Sequence, residues 1–210
     1  MKSAKLALLC APALVALGCA SFPDQTTTRT IAEKMVSEAY PGMPAALTQR
    51  SAQDNEQRTC SKIGDAKLTS QEAAAVVQSS RAAIKYPASG KLAGDWKVGA
   101  KLAYDGGGSR IVGGKVEPRK ENGGSCSNCH VLDPRETNAG NVGPSLAGYG
   151  AQRGNSDAIV KYTYEKLYDA WAYFPCSNMP RMGHSGYLTP EQITHVVAYL
   201  TDPTSPVNRK

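Results

Sequence analysis

Cys126-Ser127-Asn128-Cys129-His130 is the stretch that decides how this 210-residue chain is read. C-x-x-C-H is the attachment pattern of a c-type haem. Two thiols at that spacing reach the two vinyl groups of one porphyrin and form thioethers. The histidine that follows turns its imidazole under the iron as the proximal ligand. Five residues recur by chance, so the weight of the reading falls on their surroundings.

A low-spin haem iron takes a second axial ligand, and Met179, Met182, His184 and His195 all lie downstream of His130. Met179 is the first choice. It stands in an irregular segment fixed by Pro175 and Pro180, where a thioether is aimed without helix geometry. Sulfur of this kind is a soft, neutral ligand that favours ferrous iron. Met182 is the nearest rival, and His184 would give a bis-histidine site. His195 sits within a predicted helix and reads as a structural or surface histidine. Core filling is the ordinary alternative for either methionine. Pro144 has the character of a supporting residue, because a carbonyl held still near the haem can accept the Nδ1–H of His130 and fix its tautomer. A simple Gly143-Pro144 turn is the competing reading. Tyr149, Trp171, Tyr173 and Phe174 are candidates to line a haem crevice or an ordinary core.

Helical patterns flank the motif on both sides. Thr189-Pro190-Glu191-Gln192 is a capping box with proline at the first helical position, and apolar residues continue at Ile193, Val196, Val197 and Leu200. A helix is predicted from Asp157 to Trp171, with Ser156 as its N-cap. Upstream, Gly94 to Tyr104 carries a short helix in which Gly99 allows another helix to approach closely. Residues 105–124 are rich in glycine and basic residues and read as a loop, with a hairpin around Arg110 to Val116. Further back, Thr69-Ser70-Gln71-Glu72 starts a helix predicted to run to Tyr86, where Pro87 closes it. Ile31 to Tyr40 is a helical patch, preceded by a polar stretch from Ser21 to Arg29. Ala45 to Arg58 has a weaker helical pattern. Pro87 to Gly90 reads as a boundary.

The chain opens with Met1-Lys2-Ser3-Ala4-Lys5, an apolar run from Leu6 to Leu17, and Gly18-Cys19-Ala20. That is the layout of a signal peptide, and it is too short for a membrane span. Cleavage after Ala20 is favoured. The alternative treats Ala16-Leu17-Gly18-Cys19 as an imperfect lipobox, with Cys19 lipidated, so a membrane link arises only in that case. Export to the periplasm agrees with covalent haem attachment. The full chain has 24 Lys+Arg against 18 Asp+Glu. Without Lys2 and Lys5 the balance is 22 against 18, or +4. This mild excess can steer an acidic partner, and no basic run points to nucleic acid. Of the six cysteines, Cys10 leaves with the signal and Cys19 leaves or is lipidated, while Cys126 and Cys129 go to the haem. Cys60 and Cys176 remain, and in an oxidising compartment they are expected to pair. Two unrelated free thiols are the alternative.

Taken together, these residues carry a family resemblance. Gly94-Asp95 with Gly99, C-x-x-C-H, Gly143-Pro144-x-Leu146-x-Gly148, Met179-Pro180 and the closing Ala198-Tyr199-Leu200 resemble class I cytochromes c. Asn178-Met179-Pro180-Arg181-Met182-Gly183, then Gly186-x-Leu188-Thr189-x-Glu191-Gln192-Ile193, is similar to the SoxX subunits of SoxAX cytochromes. The likeness covers about half the chain. The resemblance implies a mainly α class I cytochrome c fold over a domain at 91–210, while the patterns upstream read as a 1–20 signal peptide and a helical N-terminal extension over 21–90. It implies one covalently attached haem c, held by Cys126, Cys129, His130, Pro144 and Met179, with His130 and Met179 on the iron. It also implies a heterodimer with SoxA, acting on the SoxYZ carrier protein and passing electrons to a soluble cytochrome. In that complex, an L-cysteine S-thiosulfotransferase, this chain would accept electrons and turn over no substrate alone. The loop 105–124 is longer than that pattern expects, and the extension has no counterpart in a minimal cytochrome. Two other readings remain, a free periplasmic monohaem carrier and an envelope protein whose C-x-x-C-H binds a metal.

Overall fold

The closing helix organises the molecule. A computed structural model describes residues 24–39, 52–64, 67–108, 110–112, 115–117 and 122–209. In it, Pro190–Thr201 forms a helix whose Thr189 side chain accepts from the Gln192 amide while the Gln192 side chain accepts from the Thr189 amide. Ile193, Val196, Val197, Ala198, Tyr199 and Leu200 are all buried. A helix apolar on most of its faces has to be central, and this one packs against three other helices and the C-terminal turn.

The described elements are mainly helical. In chain order they are α1 (Gln25–Ala39), α2 (Asn55–Cys60), α3 (Ser70–Ala82), α4 (Trp96–Tyr104), the strands β1 (Arg110–Val112) and β2 (Lys115–Glu117), α5 (Tyr149–Arg153), α6 (Asp157–Tyr168) and α7 (Pro190–Thr201), with short 3-10 turns between them. The strands pair antiparallel, with Ile111 opposite Val116, so the hairpin expected in the long loop is present. The chain divides into two compact units, Met1–Ala39 and Tyr40–Lys210. In the first, α1 starts at Gln25, six residues ahead of the predicted patch, because Asp24 accepts the backbone and hydroxyl hydrogens of Thr27. Its Ile31, Met35 and Val36 are exposed. The signal segment and residues 40–51 lie outside the described residues, so the cleavage readings and most of the weak 45–58 helix are not addressed by the structure.

Within the second unit, α4 and α7 meet at Gly99. A Cβ there would lie 1.9 Å from the His195 carbonyl oxygen, so the close approach expected of this glycine is real. The start of α4 is fastened to the same helix. Gly94 N–H donates to Thr194 O at 2.9 Å, and Asp95 N–H donates to His195 Nδ1 at 2.8 Å. The 3-10 turn at Pro206–Asn208 locks α5, since Asn208 Oδ1 accepts from the amides of Gly150 and Ala151.

The segment just ahead of Pro87 packs on the chain that follows it. Val76 of α3 joins Ala170 and Trp171 in a small buried cluster. Arg81 Nε donates to Ala172 O at 2.8 Å, and Tyr164 donates its hydroxyl to Lys85 O at 2.7 Å. The capping box of α3 is formed as predicted, but the helix stops at Ala82 rather than Tyr86. Pro87 to Gly90 is a hydrogen-bonded turn with Gly90 at φ 69°. Two further differences concern the middle of the chain. The helix expected to reach Trp171 ends at Tyr168, because the Asp169 carboxylate accepts the Trp171 amide and starts a separate 3-10 turn, Ala170–Ala172. Ser156 occupies the N-cap position of α6, but its hydroxyl makes no capping bond. The short helix α5 was not anticipated from the sequence.

Candidate functional site

The C-x-x-C-H run is held by backbone alone. Ser125 turns left-handed, at φ 45°, into a 3-10 turn over Cys126–Asn128. Cys126 O accepts from the amides of Cys129 and His130 at 3.1 and 2.9 Å. The amide of Gly124 reaches Leu102 O and that of Ser125 reaches Asp105 O, which seats the run on the end of α4. Gly140 N–H donates to Ser127 O and Gly143 N–H to Cys129 O, closing the returning chain over it.

His130 Nδ1 lies 2.7 Å from the Pro144 carbonyl oxygen. A carbonyl only accepts, so Nδ1 carries the proton and Nε2 keeps its lone pair for a metal. The ring fits tightly over Gly143, where a Cβ would come within 2.2 Å of His130 Cε1. Cys126 and Cys129 are both free thiols. Burial pushes the Cys126 thiol up to about 11. Cys126, Leu146, Met179 and Met182 border the same apolar cluster, which includes Leu102, Leu132 and Leu188. The donor set therefore suits a covalently attached haem, with two free thiols, an imidazole fixed in its metal-binding tautomer and an apolar wall. Among the described residues no cluster of three or more His, Cys, Asp or Glu is arranged to hold a metal ion.

Cys60 and Cys176 form the expected disulfide, with Cα atoms 5.3 Å apart. Cys176 is one of the described non-glycine residues with positive φ, at 60°. The segment after it is pinned at several points. Trp171 Nε1 donates to Ser177 O at 2.7 Å, Ser177 Oγ accepts from the Met179 amide, and Tyr168 O accepts from the amides of Gly183 and His184. Gly183 is crowded by the Tyr168 ring, since a Cβ at this residue would lie 2.3 Å from Tyr168 Cδ2.

A buried charge network beside this segment was not anticipated. Arg181 is only 8% exposed. Its Nε donates to Asp169 Oδ2 at 3.1 Å, its Nη1 to Asp54 Oδ2 at 2.6 Å, and its guanidinium lies 4.4 Å from the centre of the Trp171 ring. His184 sits between the carboxylates, with Nδ1 3.1 Å from Asp169 Oδ2 and Nε2 3.4 Å from Asp54 Oδ2. Burial would raise the Asp169 carboxyl, but the His184 bond, the Arg181 charge and the Trp171 amide hold it below its ordinary value. For Asp54, burial is likewise outweighed by the Gln57 amide and by Arg181. Of the four second-ligand candidates, both histidines are thus engaged elsewhere, His184 here and His195 with the Asp95 amide. A lone arginine between two methionines was the one sequence signal of this network. Its partners lie too far off in the chain to be read.

The aromatic candidates fall into different places. Phe174 is exposed. Tyr173 bonds Glu165 and sits edge-on to Tyr162, Tyr149 shares a hydrogen bond with Thr163, and Trp171 stacks on Arg181. Of these four, Tyr149 borders the same apolar cluster as Cys126, Leu146 and Met179.

Residues 121–202 match the family described as Cytochrome c. The chain is also similar to a protein of Aquifex aeolicus (strain VF5) described as "Uncharacterized lipoprotein", 42% identical over 158 residues, which span 75% of this chain and 74% of that one. That alignment is longer than the whole stretch from Glu121 to the C-terminus, so it extends upstream of the haem motif. Among the described residues no helix is long and apolar enough to cross a membrane.

Proposed function

Because residues 121–202 of this chain form a cytochrome c family domain, which implies a covalently attached haem c and an electron-transfer role, we propose that Cys126 and Cys129 form the thioethers, His130 is the proximal ligand and Met179 the distal one. The haem supplies one-electron exchange between ferric and ferrous iron. The observation that carries the reading is the His130–Pro144 bond, which occupies Nδ1 and leaves Nε2 for a metal in a run with two free thiols. Met179 is supported by its place against the same apolar cluster as Cys126 and by the engagement of His184 and His195 elsewhere. Pro144 holds the His130 proton in place, and the apolar cluster would border the porphyrin. A haem stain on a denaturing gel tests covalent attachment, and its loss in C126A and C129A tests the assignment.

More finely, the protein is the electron-accepting subunit of a SoxAX-type complex. SoxA is its partner, the SoxYZ cysteine the acceptor of thiosulfate, and a soluble cytochrome the outlet for electrons. Support comes from the run Asn178 to Ile193 and from the Cys60–Cys176 bridge, which takes up the two thiols left over from the haem motif among the described residues. The chain alone then has a route for electrons and no site for sulfur. Thiosulfate-dependent haem reduction is measured with the purified chain, with SoxA added, and with SoxA and SoxYZ. Reduction at full rate by the chain alone overturns the subunit reading.

A second reading is a monohaem carrier held at the membrane surface by lipid on Cys19. The printed name of the Aquifex protein favours it over a freely diffusing form. Mass spectrometry of the mature N-terminus distinguishes a diacylglyceryl cysteine from a chain beginning at Ser21. Equal activity of a SoxA system with and without this chain favours the carrier reading over the subunit.

A further inference from the structure

α2 is only six residues long, and its two ends are fastened to either side of one segment. At its start, Asp54 caps the helix through the Gln57 amide and uses its other oxygen to accept from Arg181. At its end, Cys60 is bonded to Cys176. Cys176 and Arg181 bracket Met179, one before it in the chain and one after. No regular element holds the residues between them.

We infer that α2 is a clamp on the distal ligand, with Asp54 acting through Arg181 and Cys60 acting through Cys176 as positioning residues that hold Met179 toward the iron. The inference rests on the reading of Met179 as that ligand. A neutral thioether is a weak competitor against other ligands. It stays bound when its backbone is already ordered, because little freedom is then lost on binding. The two ties are chemically different. The disulfide fixes the segment on the N-terminal side, at Cys176, which has a left-handed backbone. On the C-terminal side, a buried guanidinium keeps its place only while paired, and it is paired with Asp54 and Asp169 together and stacked on Trp171. Asp169 and Trp171 lie on the cytochrome side, so Asp54 is the part of this network that the upstream segment adds.

The test uses the purified full-length holoprotein in the ferric state, with imidazole as a competing ligand for the distal position. The variants are D54N, R181K, the double variant C60A/C176A, M179A, and T189A, which removes the capping box of α7 at a distance from the segment. D54N and C60A/C176A should each bind imidazole about tenfold more tightly than the unaltered protein, as expected when the ligand-on state loses about that much of its advantage. The sulfur-to-iron charge-transfer absorption should weaken in parallel. R181K keeps the charge but loses the fork and the stack, and should behave like D54N. T189A should lower the melting temperature with imidazole affinity unchanged. Wild-type imidazole affinity in D54N and R181K, or a shift no larger than that of T189A, overturns the clamp even if the double cysteine variant fails to fold. Retention of the charge-transfer absorption in M179A overturns the ligand reading itself.

Discussion

Nδ1 of His130 and the carbonyl oxygen of Pro144 are 2.7 Å apart, and Gly143 lies so close beneath the imidazole that no side chain fits there. The bond needs a carbonyl and the space needs a glycine. P144A keeps the carbonyl and should retain haem at close to normal yield. G143A must displace the ring, an overpacking that typically costs about 1–3 kcal/mol. Haem staining and redox titration of both variants check this. Equal yields and equal potentials in the two would show that the ring has room to spare.

Replacing Met179 with Ala should leave the haem attached, since no thioether is touched. It should abolish the ferric charge-transfer absorption and lower the potential, as expected on loss of a thioether ligand. M182A should keep the absorption. Met182 is tied into the turn by its carbonyl, which accepts from Tyr187 and Leu188. The reverse pattern of spectra would exchange the roles of the two methionines.

Loss of the Cys60–Cys176 bridge removes a cross-link between residues 116 apart in sequence. Bridges of this kind typically contribute about 2–4 kcal/mol. Denaturant unfolding of C60A/C176A should show a loss in that range. Peptide mapping without reduction should recover the two cysteines joined, and recovery of both as free thiols from the exported protein would contradict the structure.

Asp54 and Asp169 both titrate below their ordinary carboxylate value in the folded protein. Unfolded carboxyls titrate near pH 4 or just below it, so the folded state binds fewer protons in that window. The stability these groups contribute is therefore fully present above about pH 4 and is lost as the pH falls through their folded values. D54N should flatten the acid limb of the stability curve. Asp133 is also depressed, to about 2, by Arg135. Arg135, however, is open to solvent, and pairs of that kind contribute little. D133N should therefore change the acid limb less than D54N, as read by unfolding titrations from about pH 2 to 7.

Where sequence alone was informative, the cause was local. The caps of α3 and α7 are four-residue patterns that satisfy their own amides. The haem run is a five-residue pattern, and the disulfide followed from counting the cysteines left over. Gly99 was legible because a glycine within a short apolar helix usually serves a close neighbour. The rest depended on partners brought in by the fold. Asp169 ends α6 early because its carboxylate is committed to Trp171 and Arg181, and nothing between Asp157 and Trp171 announces that commitment. Arg181 is legible only as part of the run Asn178 to Gly183, and its pairing with Asp54, 127 residues earlier, is set by the fold. The early start of α1 turned on one aspartate side chain, Asp24, in a stretch that looked merely polar.

The contact of His195 with α4 bears on the order in which the molecule is assembled. The Asp95 amide has its acceptor on a ring 100 residues further on, and the groove that Gly99 opens is filled by the backbone of that same residue. Until Pro190–Thr201 is in place, α4 lacks the helix that its Gly99 groove is shaped to receive. Helix pairs with so large a sequence separation form late and slowly. The central core cannot close until α7 is seated, whereas the turn over Cys126–Asn128 is held by bonds to residues between 102 and 143. Attachment of the porphyrin to Cys126 and Cys129 thus has a natural interval, between completion of their turn and arrival of the closing helix.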